Sequence, residues 1–80
     1  MSAGIRAIVD INQTAARFKS SIVLRINDAK FVDAKSILGL SLTLYQTDEY
    51  RLEIHGPDEV EAKSAMLEVF NKHHLHVEVN

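Results

Sequence analysis

The chain has 80 residues, 46% apolar and 25% charged, proportions that suit one small folded domain over residues 1–80 and leave no room for a second. Nine Lys/Arg against eleven Asp/Glu give a net charge of −2 with neutral histidines, so neither nucleic acid nor an anionic membrane is an expected partner. Without cysteine there is no disulfide framework or thiolate nucleophile; no apolar run reaches the roughly 18–20 residues that span a bilayer, and Met1-Ser2-Ala3-Gly4 does not open a signal peptide, which makes a cytoplasmic location the expectation.

The first stretch carries two overlapping patterns. Ile5, Ala7, Val9 and Ile11 alternate with Arg6, Ile8, Asp10 and Asn12 as a strand would, whereas Ile5, Ile8, Val9, Ile11, Ala15 and Phe18 fit helical spacing. A helix over Ile5–Lys19 is preferred, because Ile8 spoils the polar face of a strand and Ala15-Ala16-Arg17 favours helix. A short strand followed by a two-turn helix capped by Asn12 stays open. The next elements are plainer. Ser21–Ile26 is β-rich with Ile22, Leu24 and Ile26 on one face; Asn27-Asp28 turns the chain, and Phe31-Val32 returns it as a hairpin. Ser36 opens a short apolar helix through Ile37, Leu38, Leu40 and Leu42, although Gly39 stands where a capping box would place Glu or Gln.

Thr47-Asp48-Glu49 marks another turn, after which Tyr50, Leu52 and Ile54 alternate with Arg51, Glu53 and His55 as a half-buried strand. Gly56-Pro57-Asp58 ends that strand and starts a helix to about Lys72, with Val60, Leu67 and Phe70 on its buried stripe, widened by Met66 and Val69. Leu75–Val79 alternates again and reads as a final edge strand that covers the sheet edge or pairs with another subunit. Two helices on one face of a small antiparallel sheet would bury these stripes, so the fold class is α+β.

Asp33-Ala34-Lys35-Ser36-Ile37-Leu38-Gly39-Leu40 resembles the regulatory-serine region of HPr, the small phosphocarrier of the bacterial sugar phosphotransferase system, and of catabolite-repression HPr. The resemblance runs back through Ala16-Arg17-Phe18-Lys19-Ser20 and forward through Tyr50–Ile54 and the helix after Pro57, covering roughly residues 5–72. It implies the HPr open-faced β-sandwich, a small, mostly antiparallel sheet with helices packed on one face. In that family a strand precedes the first helix, and the loop between them carries Gly-[Ile/Leu]-His-Ala-Arg-Pro, whose histidine accepts phosphate from a phosphoenolpyruvate-dependent kinase. Here Gly4 falls at the histidine, Arg6 at the arginine and Ala7 at the proline, and no histidine occurs in residues 1–54. Only four residues precede the predicted helix, so the first strand is expected to be missing, and an uncovered edge makes a homodimer an expectation. Phosphocarrier activity is not expected: an imidazole nucleophile is required, and Arg6 alone carries no transfer.

Ser36 is the foremost site residue. The resemblance implies phosphorylation of the equivalent serine by an ATP-dependent kinase and engagement of a transcriptional regulator; a dianionic phosphate at a helix N-terminus meets free N–H groups and the positive dipole end, with Lys35 adjacent. The plainer alternative is a helix cap. Ile37 and Leu40, with Lys35 and Arg6, are the expected partner contacts. His55 ends a strand, and His73, His74 and His76 cluster after the last helix, where the dipole alone explains them; a metal-binding homodimer with a purely structural Ser36 is the competing reading. Phosphotransfer through an unrelated histidine such as His55 is a third. No nucleophile–base pair, Gly-rich phosphate loop or cofactor signature is present, so neither an enzyme nor a cofactor is expected.

Overall fold

The computed structural model describes residues 4–47 and 49–80, so Asp48 of the predicted turn lies outside the described residues. The elements run α1 (Ile5–Ala16), β1 (Ser21–Arg25), β2 (Phe31–Asp33), α2 (Ile37–Gln46), β3 (Arg51–His55), α3 (Glu59–Lys72) and β4 (Glu78–Val79). The strands form one sheet in the order β2-β1-β3-β4. β1 pairs antiparallel with both β2 and β3, while β3 and β4 run parallel, so the sheet is mixed at one edge.

α1 resolves the two patterns of the first stretch in favour of helix. Ala7, Ile8, Ile11 and Ala15 form its buried face, whereas Ile5 and Val9 stay exposed. It ends at Ala16 rather than Lys19 for a local reason. The N–H groups of Arg17 and Phe18 reach back to Thr14 and Ala15, tightening the last turn, and those of Lys19 and Ser20 then donate to the Asp58 carboxylate at 2.9 Å each. That carboxylate thus takes over two donors that a longer helix would have used.

The core lies between the helices and one sheet face. Ile22 and Leu24 of β1 face the same side as Leu52 and Ile54 of β3, with which they are in register, and all four are fully buried. Ile8, Ile11, Leu40, Met66 and Phe70 complete the cluster from the helices. The opposite face is wet: Arg25 donates to Glu53 at 2.9 Å, Arg51 lies 3.3 Å from the same carboxylate, and the Arg25 guanidinium sits over the Phe31 ring. Alternation along β1 and β3 therefore separates a helix-covered face from an open one.

α3 corrects the predicted stripe. Ala62, Met66, Val69 and Phe70 face inward, whereas Val60 is 74% exposed and Leu67 is also exposed. The true buried set follows 3.6-residue spacing from Ala62, a residue whose small apolar side chain gave little weight to the right phase. The final strand is also shorter than the predicted Leu75–Val79. Leu75 instead closes α3, its N–H donating to the Phe70 carbonyl at 2.9 Å across a left-handed residue, His74 (φ 58°).

The starts of α1 and α2 as the candidate functional site

The family resemblance draws attention to two helix N-termini. At α2, Ser36 is exposed in an extended conformation (φ −96°, ψ 110°), and its Oγ accepts from the Gly39 N–H at 3.3 Å. The capping Ser is thus present without the reciprocal Glu or Gln. No acidic residue lies in the first turn of α2. Asp33, just upstream, accepts the Lys35 N–H at 2.9 Å, and its carbonyl accepts the Ser36 N–H at 3.0 Å. These bonds fix the backbone entering the helix.

Lys35 is not a free cation beside the serine. Its Nζ donates to the Phe18 carbonyl at 2.7 Å and so ties the α2 entry to the chain leaving α1. The apolar residues of α2 divide cleanly. Leu40 is fully buried with Leu44, so the expected contact at Leu40 is corrected: it belongs to the core. Ile37 is 45% exposed, as expected of a contact residue, and Leu38 (69%) and Leu42 (55%) share the outer side. Leu38 and Leu42 are thus the most exposed apolar side chains of the helix among the described residues. The i, i+4 relation of Leu38 to Leu42, set against that of Leu40 to Leu44, is the signal that separates the faces.

At α1 the helix end differs. Gly4 is the N-cap (φ −75°, ψ 169°), its carbonyl accepts the Ile8 N–H, and among the described residues no side chain caps the helix. Arg6 is exposed in the first turn, with no histidine among the aligned positions. α1 packs against both α2 and α3.

The histidines are not brought together. His73 Nε2 lies 2.7 Å from Asp10 Oδ2, which also pairs with Lys72 at 3.0 Å, linking α1 to the end of α3. The hydrogen bond from His73, then that from Lys72, holds the Asp10 carboxyl below its usual range. His55 Nε2 is 3.4 Å from the Asn80 amide. Among the described residues no three metal-ligating side chains converge, and no helix is long and apolar enough to cross a membrane.

A further polar cluster was not foreseen. Asp58 Oδ1 accepts from the buried Ser20 hydroxyl at 2.5 Å as well as from the Ser20 N–H, and the Asp58 N–H donates back to Ser20 Oγ at 3.2 Å. The Ser20 hydroxyl bond, followed by that from the Lys19 N–H, lowers the Asp58 carboxyl to about 2. Gly56 (φ 151°) presses against the same serine: a Cβ there would lie 2.6 Å from Ser20 Cα. Aspartate and serine are 38 positions apart, so nothing in their spacing announces the pair. Its role is to join the α1–β1 connection to the start of α3.

The architecture defines a small open-faced α+β sandwich, with a serine-capped helix beside a first helix whose N-cap is Gly4. Residues 4–72 match the family model described as the PTS HPr component phosphorylation site. The chain belongs to the HPr family. It is 39% identical over 67 residues to the phosphocarrier protein HPr of Neisseria meningitidis serogroup A, covering 82% of this chain and 74% of that protein. Among solved structures it is similar to Crh, the catabolite repression protein of Bacillus subtilis, described as an intertwined dimer with a swapping domain (TM-score 0.71, 33% identity, 90% of this chain and 85% of that one). It is also similar to an HPr dimer from Thermoanaerobacter tengcongensis (TM-score 0.72, 32% identity, 86% and 79%).

Proposed function

We propose that this protein is a non-enzymatic regulatory or interaction module of the phosphotransferase system, working in the cytoplasm and switched by phosphorylation of Ser36, and that it is not a histidine phosphocarrier. The observation that carries this reading is the exposed Ser36 hydroxyl at the start of α2, next to the exposed side chains of Ile37 and Leu38. A phosphate on Oγ would sit against the first-turn N–H groups and the positive end of the helix, with no acidic side chain in that turn to repel it. The modification would place a double negative charge beside an apolar patch, changing which protein surfaces the patch can meet.

At the other helix start, Gly4 supplies no nucleophile, so Arg6 is left as a surface cation available to partners. The implied partners are an HPr-type serine kinase and a transcriptional regulator that reads the phosphorylated helix. The dimeric Crh and HPr relatives support self-association as well. Intact-mass measurement after incubation with an HPr-type serine kinase and ATP tests the switch. One phosphate on the native chain and none on Ser36→Ala is the expected result. An unmodified native chain, with authentic HPr modified in the same tube, would leave Ser36 a structural cap only.

A further inference from the structure

α1 and α3 run antiparallel. They are pinned at one end by the Asp10 pairs to Lys72 and His73, and at the other by the Lys19 and Ser20 N–H groups on Asp58. Between them lies an open groove of about 630 Å³. α1 lines it with Asp10, Thr14 and Arg17, and α3 with Glu61, Ala65, Glu68 and Lys72. Both sets follow i, i+4, i+7 spacing, so each helix turns one continuous stripe into the groove. Phe18, Val60 and Val69 add apolar surface, and Val60 is the most exposed large apolar side chain among the described residues. No residue of α2 lines this groove, which separates it from the Ser36 surface.

The charges of the groove are settled at one end and open at the other. Asp10 takes up Lys72 and His73, so that end is internally paired. On α3, Glu59 is paired with Lys63 at 3.7 Å. Glu61 and Glu68 are exposed, and among the described residues neither forms an ion pair. Arg17 is likewise exposed and without a carboxylate among the described residues, its guanidinium 5.4 Å from the centre of the Phe18 ring. Arg17 and Glu61 thus carry opposite charges into one groove without closing on each other. The α3 wall offers acid, the α1 wall offers base, and apolar side chains lie among them.

We propose that this groove seats a basic amphipathic helix of another protein. That helix lays an apolar stripe on Phe18, Val60 and Val69, sets two basic residues seven positions apart against Glu61 and Glu68, and sets an acidic residue against Arg17. A helix is the occupant because two antiparallel helix stripes leave between them the channel into which the ridges of a third pack. Glu61 to Lys72 spans about 16 Å at ~1.5 Å per residue, which about three turns of the occupant cover, and Glu61 and Glu68 share the i, i+7 separation of the basic pair. The occupant is basic because two open carboxylates face one open guanidinium, on a chain whose net charge is −2. The α3 helix of a second copy would instead bring the same two acids to the groove, and like charges would meet. The groove does not involve Ser36, so this proposal and the phosphoserine switch can each fail alone.

A charge swap tests the proposal. The probe is a dye-labelled helical peptide of roughly 18 residues with a Leu/Ala stripe, Lys at i and i+7 on one flank and Glu on the other; its counterpart exchanges every Lys and Glu. Each is titrated into the full chain and followed by fluorescence anisotropy. The native chain should bind the first peptide at least tenfold more tightly than its counterpart, and Glu61→Lys/Glu68→Lys should reverse that preference. Val60→Asp should weaken the first peptide at least tenfold. These three positions are exposed, so circular dichroism of each variant should match the native chain. Asp28→Lys/Glu78→Lys, on other exposed acids, carries the same change in net charge and should leave the preference for the first peptide in place. Equal binding of the two peptides, or no binding of either, overturns the proposal. So does a preference that survives Glu61→Lys/Glu68→Lys, or one that Asp28→Lys/Glu78→Lys reverses as well, since the attraction would then be to the chain's charge and not to the groove.

Discussion

The starts of α1 and α2 are the same structural device carrying different chemistry. At α2 the device is complete, with Ser36 bonded to the Gly39 N–H and an exposed apolar flank in Ile37 and Leu38. At α1 it is reduced to backbone, with Gly4 capping nothing through a side chain. The fold does not need a reactive group at either place. What holds α1 is its buried face of Ala7, Ile8, Ile11 and Ala15, and what holds α2 is Leu40 and Leu44. The core of this scaffold therefore does not dictate which side chains stand at its helix starts.

The sharpest way to break this comparison is to separate the two sides of α2. Leu40→Ala should lower unfolding stability by about 2–5 kcal/mol in urea titration, because it leaves a cavity among fully buried neighbours. Leu38→Ala should change stability by no more than about 0.5 kcal/mol, yet weaken binding to the serine kinase at least tenfold (~1.4 kcal/mol) in a calorimetric titration. Equal stability losses at the two positions would remove the distinction between core and contact. Ser36→Ala comes next, with a stability cost of about 0.5–2 kcal/mol from the lost cap.

An effect confined to acid concerns the third helix start. The Asp58 carboxyl lies near 2 in the folded chain against a usual 3.8. Its folded value is depressed, so its stabilising contribution is present in full above the unfolded value and fades as pH falls from about 4 through about 2. The difference in urea midpoint between native protein and Asp58→Asn should be steady at neutral pH and shrink across that window. The smallest expected change is at the bare start of α1: Gly4→Ser should gain only a few tenths of a kcal/mol, since glycine is itself a fair N-cap.

Much of the fold was legible because its signals are local. Alternation placed β1 and β3 with the correct faces, and Ser36 announced its own helix through the residue type that helix starts favour. Phase errors arose where pattern contrast was weak. α2 carries no charged residue to mark its outside, and its Thr43 is buried, so composition alone does not separate buried Leu40 from exposed Leu38 and Leu42. On α3, the charged surroundings of Val60 did not prevent its assignment to the core, although it is largely exposed. The Ser20–Asp58 lock and the bond from the Ile54 N–H to the Asn80 side chain were invisible for another reason: both join residues distant in sequence, and tertiary geometry alone brings them together. The resemblance at Lys35–Leu40 identified the family, and the departure at Gly4 limited what could be transferred from it.

Phosphoryl transfer tests the central claim most directly. The native chain and authentic HPr are incubated together with phosphoenolpyruvate and the phosphoenolpyruvate-dependent kinase, and both are followed by intact mass before and after mild acid, which hydrolyses phosphohistidine. The account predicts acid-labile phosphate on HPr and none on this chain. Acid-labile phosphate on His55, His73, His74 or His76 would contradict it and restore a carrier role by a different histidine.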